Sequence, residues 1–60
     1  MEYTVAIDHG DAWVGETRQQ YGTLKRAMSA AREAWGTGCV FSVHVIAEPR
    51  GVIVWSQEKP

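Results

Sequence analysis

One apolar helical stripe lies in the middle of this 60-residue chain, between two stretches that read as strand pairs. Leu24, Ala27, Met28, Ala31, Ala34 and Trp35 recur at the three-and-four spacing of a single helical face. Thr23 suits the N-cap, because its hydroxyl can accept a free backbone N–H of the first turn. Gly36 and Gly38 stop the helix, and Gly36 is placed for the left-handed residue after its end. The spacing predicts a helix over 23–35. A lone helix must bury its stripe, and the only other regular elements are strands.

Before the helix, Tyr3, Val5 and Ile7 alternate onto one face of a first strand. Asp8-His9-Gly10-Asp11 is polar and turn-like, and residues 12–18 can return as a second strand with Gly15 as a bulge or weak point. After the helix, residues 39–46 form the strongest strand signal. Cys39, Phe41, Val43 and Val45 share one face, and Val40, Ser42, His44 and Ile46 the other. Glu48-Pro49-Arg50-Gly51 reads as a turn. Residues 52–56 make the last strand, and residues 57–60 a polar tail expected to fray. The expected fold is α+β: a single domain over 1–60, strand–strand–helix–strand–strand, one helix packed on a four-stranded antiparallel sheet. The other sheet face then lacks cover. Either Ile53 and Trp55 or Val52 and Val54 must face outward, and an uncovered apolar face would be a contact surface or a homodimer interface.

A chain this short buries only about 60% of its unfolded surface, so its stability is expected to be marginal. A 45% apolar content with three Trp suffices for one small core and argues against disorder. No apolar run approaches the roughly 20 residues of a membrane span. Residues 1–8 lack the pattern of a secretory signal. The single cysteine, Cys39, excludes an internal disulfide and, just after the helix, is expected to be a small buried hydrophobe. The expected setting is a reducing cytoplasm.

Asp8-His9-Gly10-Asp11 is the one cluster of metal-ligand types, but a site needs three or four converging ligands and the sequence holds no second cluster. The turn reading accounts for the same residues through backbone chemistry. His44 could pair with Asp8 or Asp11 across the sheet as a base, although a mid-strand histidine is more commonly a packed polar residue. Neither Cys39 nor His44 has a visible orienting partner. There is no phosphate-binding glycine loop and no nucleophile elbow. Sixty residues leave little room to enclose a pocket of about 300 Å³. No catalytic residue, metal or cofactor is expected, and the chain reads as non-enzymatic.

The charges are sorted along the chain. Residues 1–17 hold Glu2, Asp8, Asp11 and Glu16 and no Lys or Arg, whereas residues 18–32 hold Arg18, Lys25, Arg26 and Arg32 and no acid. A local field of this kind recruits partners even at a net charge of −1. The near-neutral total disfavours a dedicated nucleic-acid binder, for which a domain pI above about 9 is usual. Three or four phosphate contacts from the helix bases would give only weak, salt-sensitive binding. The expected partner-binding residues are Arg26, Arg32, Lys25 and Arg18 as charged contacts, with Trp13 and Trp55 as apolar anchors facing away from the helix.

The segment Thr23-Leu24-Lys25-Arg26-Ala27 through Ala34-Trp35, then Val40-Phe41-Ser42-Val43, then a turn and Val52-Ile53-Val54-Trp55, resembles short phage and prophage proteins. In these, such a helix leads into a strand pair ending near Trp. It is also similar in size and element order to some small anti-CRISPR proteins. The resemblance covers residues 21–57 and is one of layout. It implies a protein that docks on and blocks a host protein or defence complex such as CRISPR, in the host cytoplasm. The net charge of −1 departs from the strongly acidic inhibitors that mimic DNA.

Overall fold

A computed structural model describes residues 2–10 and 13–60. The elements run β1 (Glu2–Asp8), β2 (Glu16–Tyr21), α1 (Leu24–Gly36), β3 (Ser42–Glu48) and β4 (Val52–Glu58). All strand pairings are antiparallel, in the order β2-β1-β3-β4. The α+β expectation of one helix on a four-stranded antiparallel sheet holds.

The core forms where the helical stripe meets the central strands. Ala27 and Ala31 are completely buried in one cluster with Val5, Val40, Val43 and Val45. Tyr3, Ile7, Tyr21, Met28, Ala34, Trp35 and Trp55 pack around this cluster, each only partly buried. The alternation of Tyr3, Val5 and Ile7 thus places one face of β1 under the helix. No side chain larger than Val is fully buried among the described residues. The folded chain exposes 4281 Å², somewhat above the ~3,900 Å² expected for a compact monomer of this size. The excess fits a sheet covered on one side only.

Thr23 caps the helix as expected, its Oγ1 accepting the Arg26 N–H at 3.2 Å. The other end differs. Gly36 remains helical, and the left-handed residue is Gly38 at φ +73°. The Thr37 and Gly38 N–H groups donate to the Ala34 and Trp35 carbonyls, which caps the last turn two residues later than expected.

Strand boundaries also move. β2 begins at Glu16, not residue 12. The His9 N–H donates to the Gly15 carbonyl at 2.9 Å, and Gly15 turns the chain at φ +66°, so the ladder closes at Asp8 opposite Glu16. Trp13 and Val14 lie in the connecting turn, and the expected turn and strand residues Asp11 and Ala12 lie outside the described residues. β3 starts at Ser42, because residues 39–41 are spent linking the helix to the sheet; the Phe41 N–H donates to the Asp8 carbonyl at 2.7 Å. The tail expected at residues 57–60 is partly strand: β4 runs to Glu58, and Lys59 donates its N–H to the Phe41 carbonyl and its Nζ to the Gly38 carbonyl, both at 3.0 Å.

Candidate protein-docking surface

β4 is an edge strand. The helix lies over β1, β3 and β2 and leaves β4 at the margin. Four consecutive apolar residues, Val52 to Trp55, therefore sit where the molecule has least cover. Val52, Ile53 and Val54 are 51%, 56% and 47% exposed.

Neither sequence-derived alternation for this strand survives. Trp55 pairs with Val45, but the next pair is Ile53 with Ile46, so Val54 is an extra, bulged residue. The bulge resets the two-residue period. Val52 and Trp55 both fall on the helix-covered face, and Ile53 falls on the open one. Trp55 is half-buried against the core, which corrects the expectation that it faces away from the helix.

The register also sorts the charges by face. Residues opposite one another across a ladder share a face. The open face therefore carries Glu2, Thr4, Ala6 and Asp8 from β1, Glu16, Arg18 and Gln20 from β2, Ser42, His44, Ile46 and Glu48 from β3, and Ile53, Ser56 and Glu58 from β4. Five of the six acids among the described residues lie there. Lys25, Arg26 and Arg32 are exposed on the helix, on the other side of the molecule. What the chain separates by position, the fold separates by face.

The expected binding residues do not form one surface. Lys25, Arg26 and Arg32 stay together on the helix. Arg18 is on the open sheet face, its Nε donating to Glu16 Oε1 at 2.7 Å. Trp13 is 96% exposed in the β1–β2 turn, and Trp55 is half-buried on β4. Arg18 leaves the helix set because it sits five residues before the helix cap, on a strand where its pairing with Ala6 turns it to the far face. The surface that sequence reading underweighted is the run Val52-Ile53-Val54. Its signal was the unbroken apolar run itself, in a chain with one helix to cover its sheet.

The polar turn serves the backbone. Asp8 Oδ1 accepts the Gly10 N–H at 2.9 Å, and His9 Nε2 lies 3.0 Å from Thr17 Oγ1. Among the described residues no group of three or more His, Cys, Asp or Glu side chains is positioned to hold a metal ion. His44 stands opposite Ala6 and Ser56, one row from Asp8, and its Nδ1 is buried without a hydrogen-bond partner among the described residues. His44 is thus a half-buried strand residue, as the commoner reading had it, and it does not stand opposite Asp8, whose partner across the ladder is Ser42. Cys39 is exposed, not buried as expected, because the chain turns outward at Gly38; its N–H donates to Thr37 Oγ1 at 3.3 Å. Among the described residues no helix is long and apolar enough to cross a membrane.

Comparison of the chain with protein-family profiles, curated proteins and solved structures finds no match.

Proposed function

We propose that this protein is a non-enzymatic module that docks on another protein. The observation that carries this reading is the exposure of Val52, Ile53 and Val54 on an edge strand beyond the helix's cover. Side chains of this kind gain free energy by leaving water, at about 25 cal/mol per Å², and contiguous exposed apolar groups mark interaction surfaces. The bulge at Val54 interrupts the outer row of backbone groups, which disfavours simple strand addition and favours contact through side chains. The layout resemblance to small phage proteins extends the reading to inhibition: a small rigid domain that occludes a host protein or complex in the cytoplasm, with no chemistry of its own.

The competing nucleic-acid reading is weakened by the placement of Arg18. Three helix bases remain on one side, and five carboxylates on the other repel phosphate. Two experiments test the proposal. Tagged protein should capture a specific protein that survives nuclease treatment, and Ile53→Ser with Val54→Ser should abolish the capture with the fold intact. Purified protein shifting a random oligonucleotide, with affinity falling steeply from about 50 to 200 mM salt, would reject protein docking in favour of nucleic-acid binding.

A further inference from the structure

The open sheet face has an ordered pattern of charge and apolar surface. At one end Glu2 stands opposite Glu48. At the other, Glu16, Asp8 and Glu58 lie in one row with Ser42. Between them, Thr4 and Ala6 form a floor, 5% and 2% exposed, and Ile46 and Ile53 stand as cross-strand neighbours beside it. Arg18 is the one base on the strands of this face, and Glu16 pairs with it. The acidic ends are six residues apart on β1, about 20 Å at roughly 3.3 Å per residue. A helix rising about 1.5 Å per residue spans that length in about 13 residues.

We propose that this face receives a cationic amphipathic helix of a partner protein. Its apolar stripe lies over Ile46 and Ile53, and Lys or Arg near each end meets the two acidic rows. This inference rests on the protein-docking reading and names the partner chemistry. The choice of occupant follows from charge complementarity. A second copy seated face to face would set acid against acid. The outer side of this chain's own helix offers bases, but Lys25, Ser29, Arg32 and Glu33 give no apolar stripe for the two isoleucines. Nucleic acid is repelled outright.

The test is a titration of isotope-labelled protein, followed by NMR, with an 18-residue helical peptide carrying Leu at i, i+3, i+4 and i+7 and Lys at both ends. A twin peptide with Glu for Lys is the control, and unlabelled protein is the second-copy arm. The expected result is shifts at Thr4, His44, Ile46 and Ile53 with the basic peptide and none with the acidic twin. Glu48→Lys and, separately, Ile53→Ser should each weaken binding roughly tenfold, about 1.4 kcal/mol. Equal binding of both peptides, shifts confined to residues 25–32, or shifts from the protein's own second copy alone would overturn the inference. Shifts confined to Val52 and Val54 would overturn it while leaving protein docking in place. Failure of the nuclease-resistant capture would reject the docking reading itself, whatever the peptide does.

Discussion

Trp55 stands directly opposite Val45, so the largest side chain of the edge strand faces the helix layer although the helix lies mainly over the other three strands. The bulged Val54 makes this compatible with Ile53 opposite Ile46 one step earlier. Both flanking pairs would be retained if Val54 were absent, since Ile53 and Trp55 would then alternate regularly.

Deletion of Val54 is therefore expected to leave the fold and both faces of β4 unchanged. What changes is the outer edge. A regular row of backbone N–H and C=O groups would replace an interrupted one, which favours pairing with another edge. Sedimentation should show stronger concentration-dependent association than the parent at equal secondary-structure content. An unfolded deletion variant, or one that associates no more than the parent, would contradict this account of the bulge.

Ala31 is completely buried in the centre of the helix–sheet contact. Ala31→Asp places a charge there without a partner, at a cost of several kcal/mol. A chain of this length has about 3–9 kcal/mol of stability in total, so the variant should be unfolded by circular dichroism at 25 °C. Ser29→Asp, two residues away on the exposed side, should stay folded. A folded Ala31→Asp protein would mean that the stripe does not form the core.

His9 meets Thr17 by a hydrogen bond in an exposed setting. His9→Ala should cost about 1 kcal/mol or less, with the fold and any protein capture unchanged. Elemental analysis of the purified parent should find no stoichiometric metal. About one zinc or manganese per chain, lost in His9→Ala, would overturn the non-enzymatic reading of the turn.

Local signals in the sequence found what local physics decides. The stripe from Leu24 to Trp35 and the Thr23 cap were legible because a helix satisfies its own backbone and announces its face every three or four residues. The β1 face was legible from strict alternation. Non-local features were not. The bulge at Val54 depends on the β3 register, and a run of four apolar residues carries no alternation from which to read it. Cys39 was misplaced because burial after a helix end depends on where the chain turns, and Gly38, not Gly36, makes that turn. The charge segregation was visible in sequence, but its meaning as two faces required the pairing of β1 with both of its neighbours.

The start of the helix offers the sharpest stability test. Lys25 and Arg26 occupy the first turn, which contains no acid. The N-terminal end of a helix carries partial positive charge, so these bases are unfavourable there by about 0.3–1 kcal/mol each. Thr23 already accepts the Arg26 N–H, the first half of a capping box in which a Glu or Gln at the third helical position reaches back to the cap's own N–H. Arg26→Glu supplies the second half and reverses the unfavourable charge. It should raise stability by roughly 1 kcal/mol, or about 4–8 °C in melting temperature for a domain this small. Arg26→Gln keeps the box without the negative charge and should recover only part of the gain. At about 1 M salt, where charges are screened within about 3 Å, the two variants should converge. In a Thr23→Ala background, which itself costs about 1 kcal/mol, the charge contribution of Arg26→Glu should remain. Arg26→Glu melting at or below the parent temperature would mean that the arginine makes a stabilising contact outweighing both effects.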